Sequence, residues 1–80
     1  MPKPKVKMYS TTWCGFCAAA RNFFETHKIP YEDVDIEKNP KEAQEMMEKS
    51  GQMGVPVINI NGKIIIGFDQ PAIKKALKIK

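Results

Sequence analysis

The dipeptide Asn61-Gly62 sits between two strand-like runs, Val57–Ile60 and Lys63–Ile66. Asn-Gly readily takes the two positive-φ positions of a type I′ turn, the tightest link between antiparallel strands. The second half of the chain is therefore committed to a hairpin, and its two strands must be antiparallel. The first half reads differently. Lys5–Ser10 alternates polar and apolar residues and is predicted as a strand. A helix is predicted from about Cys14 to Lys28, and a second strand at Tyr31–Ile36, with Val34 and Ile36 on one face. Two strands joined by a helix should lie parallel, with a right-handed crossover. The expected order is β-α-β-α-β-β-α: an α/β fold with a mixed sheet covered by helices on both faces.

Local signals delimit the helices. Thr11 or Thr12 offers a hydroxyl cap for the first, and Phe16, Ala20, Phe23, Phe24 and His27 recur at helical spacing as its buried face. Asn39-Pro40, with Glu42 three residues after the cap, opens the second, and Ser50-Gly51 closes it. Ala43, Met46 and Met47 form its apolar positions. Asp69 caps a last helix, with Pro71 in the first turn and Ile73, Ala76 and Leu77 facing inward.

Eighty residues suit one domain, 1–80, since two cores of half that size would fall below what folds unaided. The chain is 42% hydrophobic and 28% charged, which argues against disorder. Its longest apolar stretch, Ile64–Phe68, is far short of the roughly 20 residues that span a membrane. Met1–Lys5 starts with positive charge, but no hydrophobic region follows as in a secretory leader, so a cytoplasmic location with reduced thiols is expected. The net charge of +4 is uneven: +4 over residues 1–30, −4 over 31–50 and +4 over 51–80. Lys74, Lys75, Lys78 and Lys80 read as the solvated face and end of the last helix. No aromatic residue interleaves with them, so nucleic acid is not an expected partner.

The two cysteines carry the chemistry. Cys14 and Cys17 are too close in sequence to staple a fold through loop closure. They lie in Trp13-Cys14-Gly15-Phe16-Cys17, where the first strand hands over to the first helix. A CxxC in that position reads as a redox motif. Unpaired N–H groups and the helix dipole favour an anion at Cys14, and the thiolate is the nucleophile. No acid occurs between Met1 and Phe24 to oppose it locally. Cys17, one turn on and nearer the core, would resolve the mixed disulfide that Cys14 forms. A closed zinc site needs four ligands. His27, ten residues beyond Cys17 on the same helix, is about 15 Å away. No metal site is expected in a monomer; only a dimer sharing a metal or cluster would complete the shell.

From Lys5 to Leu77 the chain resembles a glutaredoxin-like protein of the thioredoxin superfamily. The resemblance rests on residues 9–17, Val34-Asp35-Ile36, Gly54-Val55-Pro56-Val57 and Gly67-Phe68-Asp69. It implies a four-stranded sheet of order 2-1-3-4 flanked by three helices, and a cis Val55–Pro56 peptide facing the cysteines. It further implies that the Val55 backbone pairs with a substrate such as glutathione and that Phe68 and Asp69 lie at the site for its γ-glutamyl end. Trp13, Phe16, Val55 and Phe68 would form an apolar rim around the sulfurs, with Pro56 shaping the groove and Gln52 as a polar contact.

Five positions depart from the family pattern. Gly15-Phe16 replaces Pro-Tyr, Thr11 replaces a lysine, Gly54 replaces a threonine, and Phe68 stands where a cysteine is common. Each removes a group directed at glutathione. Gly15-Phe16 and Gly67-Phe68-Asp69 are similar to redoxins that serve ribonucleotide reductase and take electrons from a thioredoxin reductase. Gly15-Phe16 is also similar to Cys-Gly-Phe-Ser glutaredoxins, which hold iron–sulfur clusters between two subunits with glutathione. The expectation is a monomeric dithiol oxidoreductase with no bound cofactor, acting on disulfide-containing proteins. It would be reduced by glutathione or by a thioredoxin reductase with NADPH. An iron–sulfur carrier is the alternative.

Overall fold

The Asn61-Gly62 turn forms as its residue types require. Asn61 and Gly62 have φ of 53° and 94°, and the turn joins β3 (Val57–Ile60) to β4 (Lys63–Ile66) as antiparallel neighbours. The computed structural model describes residues 4–79. The leader reading in its first three residues and the expected position of Lys80 lie outside the described residues. The remaining elements are β1 (Val6–Ser10), α1 (Gly15–Thr26), β2 (Glu32–Asp35), α2 (Pro40–Ser50) and α3 (Gln70–Leu77). The sheet order is β2-β1-β3-β4, with β1 parallel to β2 and antiparallel to β3. This is the thioredoxin-like topology that the resemblance implied.

Alternation in β1 distributes the core. Val6 and Met8 turn to one face of the sheet and join Ala20, Phe23 and Phe24 of α1, Ile58, Ile60 and Ile65 of the hairpin, and Ile73 of α3. Tyr9 turns to the other face, with Val34, Met46 and Val57. α1 and α3 thus cover one face and α2 the other.

Several local readings need correction. Phe16 is 69% exposed rather than part of the buried face of α1. Phe23, two turns further along the same side, is covered by Phe68 at a ring distance of 5.9 Å; no such cover reaches Phe16 in the first turn. His27 is also exposed, and its ring stacks against that of Phe23 at 4.2 Å. The expected capping box of α2 does not form. Asn39 Nδ2 donates instead to the Asp35 carbonyl at 2.8 Å, and Glu42 pairs with Lys7 Nζ at 2.8 Å. β2 is shorter than expected, because Tyr31 leaves the ladder and packs its ring 5.2 Å from that of Phe24.

A polar clasp fastens α2 to the sheet beside Met46. Glu45 accepts hydrogen bonds from Tyr9 Oη at 2.7 Å and Lys7 Nζ at 3.1 Å, and Lys49 Nζ lies 3.2 Å away. These donors, Tyr9 first, hold the Glu45 carboxyl at about 2, below its ordinary 4.5. A lowered value means that the folded state binds this proton more weakly than the unfolded one. The stabilisation is therefore present above about pH 4.5 and is lost as pH falls towards 2. Glu45→Gln is expected to lower the urea midpoint at pH 7 and to match the parent at pH 2. The difference at pH 7 should be small, since the Glu45 side chain is 35% exposed and water screens it.

Candidate active site

β1 ends at Ser10, and residues Thr11–Cys14 turn the chain into α1. The cap of that helix is Cys14 itself, in extended conformation, rather than Thr11 or Thr12. Its sulfur accepts a hydrogen bond from the Cys17 N–H at 3.2 Å, and its carbonyl accepts one from the Ala18 N–H at 3.1 Å. One of the amides left unpaired at the start of any helix, that of Cys17, is thus aimed at the Cys14 sulfur.

The two sulfurs differ in surroundings. Cys14 is 9% exposed and lines an open cleft of about 500 Å³. Cys17 is fully buried. Burial, followed by its contact with Cys14, pushes the Cys17 thiol up to about 12. Both thiols are free. Beneath them Arg21 braces the turn. Its Nη2 donates to the Thr11 carbonyl at 3.2 Å and to Ser10 Oγ at 3.0 Å, and its Nε pairs with Asp33.

The far wall of the cleft comes from the loop before β3. The Val55–Pro56 peptide is cis, as the resemblance implied, and the Val55 carbonyl stands 3.9 Å from Cys14 Sγ. Pro56 is buried behind it, and its carbonyl accepts from the Gly67 N–H at 2.7 Å. Trp13 and Phe16, 71% and 69% exposed, stand on the near side. Three of the four expected rim residues, Trp13, Phe16 and Val55, therefore gather around Cys14.

Phe68 does not join them. It packs against Phe23 and belongs to the core on the α1/α3 face. Gln52 is likewise not among the residues that line the cleft. Its Oε1 accepts from the Gly54 N–H at 2.6 Å, and its Nε2 donates to the Gly54 carbonyl at 3.0 Å. The whole amide is spent on its own loop. Asp69 caps α3, its Oδ1 accepting from the Ala72 N–H at 3.3 Å.

Sequence reasoning missed two cleft residues. Met53, 61% exposed, adds a flexible apolar wall. Glu37 brings a carboxylate to the mouth, and its Oε1 accepts from Trp13 Nε1–H at 3.1 Å. The stretch without acids before Phe24 is therefore not the whole electrostatic setting of Cys14. The signal was present in the parallel pairing of β1 and β2. It carries the residues after Asp35 to the same end of the sheet as those after Ser10. Among the described residues, no group of three or more His, Cys, Asp or Glu side chains is placed to hold a metal ion. No helix of the described residues is long and apolar enough to cross a membrane.

Comparison with known proteins agrees with this arrangement. Residues 6–65 match the family model described as Glutaredoxin. An uncharacterized glutaredoxin-like 8.6 kDa protein in the rubredoxin operon of Clostridium pasteurianum is 40% identical over 73 residues, covering 91% of this chain and 97% of that protein. Among solved structures, a glutaredoxin of Archaeoglobus fulgidus superposes with a TM-score of 0.85 at 23% identity, over 92% of this chain and 86% of that one. The glutaredoxin-like NrdH-redoxin of Escherichia coli, whose structure is described with its thioredoxin-like activity profile, gives 0.77 at 22% identity, over 89% and 92%. A family match over residues 6–65 and a close relative along nearly the full length lead to one conclusion: this chain belongs to the glutaredoxin family, whose members are thiol–disulfide oxidoreductases.

Proposed function

We propose that the chain is a dithiol reductase of protein disulfides, with Cys14 as the attacking sulfur and Cys17 as the resolving one. The observation that carries this reading is the asymmetry of the pair. Cys14 caps the helix and borders the cleft, while Cys17 is sealed behind it with its N–H on the Cys14 sulfur. In the first step the Cys14 thiolate bonds to one sulfur of the substrate disulfide. The substrate S–S bond breaks, and the departing sulfur takes a proton. In the second step Cys17 loses its proton and attacks Cys14 Sγ. The Cys14–Cys17 disulfide forms and the second substrate thiol leaves. Two electrons and two protons pass to the substrate.

The oxidised pair then needs an external reductant, and we assign this role to a thioredoxin-reductase type of donor using NADPH. Two of the side chains that the resemblance offered to glutathione are engaged elsewhere: Gln52 in its loop and Phe68 in the core. The thioredoxin-like activity profile named for the Escherichia coli redoxin points the same way. The test is steady-state NADPH consumption with insulin as the disulfide substrate. Turnover is expected with thioredoxin reductase and is expected to be much slower with glutathione and glutathione reductase. Faster turnover with glutathione would overturn the choice of reductant, and no insulin reduction with either system would overturn the reductase reading itself.

A further inference from the structure

Among the described residues, Glu37 is the one charged side chain lining the cleft in which Cys14 lies; the other lining residues are apolar, aromatic, glycine or threonine. Its position is built rather than incidental. The Glu37 N–H is held by Asp35 Oδ1 at 2.9 Å, and its carboxylate is anchored on the indole N–H of Trp13 at 3.1 Å. One carboxylate oxygen has that partner, leaving the other free to accept from an incoming group. Among the described residues, no cation offsets it within the lining. Its chain neighbour Lys38 belongs to a separate hollow around the start of α2, with Pro40, Lys41 and Glu42. Lys5 and Lys7 lie at the opposite end of β1, several strand residues away from the Ser10 end that leads to Cys14. At physiological salt the screening length is about 8 Å, so the carboxylate at the mouth governs contact more than the net charge of the whole chain does.

We propose that Glu37 is a specificity-determining residue that selects substrate disulfides flanked by lysine or arginine and disfavours anionic thiols. This deepens the reductase reading and rests on it. A basic residue beside the substrate cysteine finds a carboxylate already oriented by Trp13 and a wet rim that leaves it hydrated. An acidic flank meets like charge. Glutathione carries two carboxylates against one ammonium at neutral pH, so it meets the same opposition. The indole forms the floor of the contact, where the stem of a lysine or arginine can lie.

The substitution Glu37→Gln separates charge from architecture, because a glutamine Oε1 still accepts from Trp13 Nε1–H. The experiment uses the fully reduced protein in single turnover with two disulfide-linked peptides, identical except for arginine or glutamate beside the cysteine. The parent is expected to reduce the arginine peptide about two- to fivefold faster than the glutamate peptide, as suits one exposed charge contact. Glu37→Gln should bring the two rates together, and 0.5 M NaCl should do the same for the parent. Equal rates for the two peptides with the parent, or a variant that slows both alike at every salt concentration, would overturn the role of Glu37. Failure of the parent to reduce either peptide would instead count against the reductase reading.

Discussion

Replacing Cys14 with serine is expected to bring disulfide reduction down to the level of a protein-free control. Cys17→Ser is expected to stop after one step, with substrate protein held on Cys14. A serine hydroxyl is not ionised at neutral pH and does not exchange with a disulfide, so the first bond cannot form. The loss should be chemical and not structural. Serine is a favoured helix cap, and its oxygen can accept from the Cys17 N–H as the sulfur does. Cys17 cannot take over the attack. It is fully buried and its thiol is pushed up to about 12, so little thiolate exists at neutral pH. Iodoacetamide at pH 7.5 should therefore label the parent and Cys17→Ser but not Cys14→Ser, as read by intact mass. Cys17→Ser places a hydroxyl in a fully buried site, which costs about 1–3 kcal/mol if it finds no partner. Cys17→Ala is the companion variant and should trap substrate equally well. Trapping on Cys17 in the Cys14 variant would reverse the assigned roles.

Phe24→Ala is expected to remove a large share of the stability of the fold. Phe24 is fully buried, stands edge-on to Phe23 at 5.8 Å and packs beside Tyr31 at 5.2 Å. Truncating a buried phenylalanine costs about 3–5 kcal/mol, as lost transfer energy plus the cavity left behind. A domain of this size has roughly 4–12 kcal/mol in total. At about 4–8 °C per kcal/mol, the melting temperature should fall by roughly 12–40 °C. Phe24→Leu keeps most of the volume and should cost under about 1.5 kcal/mol. Thermal melts followed by circular dichroism distinguish these outcomes. A drop of only a few degrees for Phe24→Ala would mean that α1 is not held to the sheet through this ring.

How well the sequence foretold each feature follows from the range of the force that sets it. The β3–β4 hairpin was legible to the residue, because Asn61-Gly62 and the runs on either side act within ten positions. Gly51 ending α2 and Asp69 capping α3 are local in the same sense. The cysteine pair was legible from its place between strand and helix. The cap of α1 was misplaced because a thiol is a weak acceptor, and the nearby threonine hydroxyls looked better on propensity alone. Phe16 was misread because helical spacing says which side a residue takes and not whether another element covers that side. Phe68 was assigned to the rim although it is the ring that covers Phe23. Glu37 was missed because it is 24 positions from Trp13, and only the pairing of two strands brings them together.

The folded-back amide of Gln52 ties two positions of the chain together. A Cβ added at Gly54 would stand 2.7 Å from Gln52 Oε1, closer than real atoms approach. Any side chain at position 54 therefore requires the Gln52 amide to shift. With glycine, the loop satisfies its own polar groups and presents bare backbone to the cleft. A single methyl group at position 54 is enough to force the Gln52 amide out of its present place.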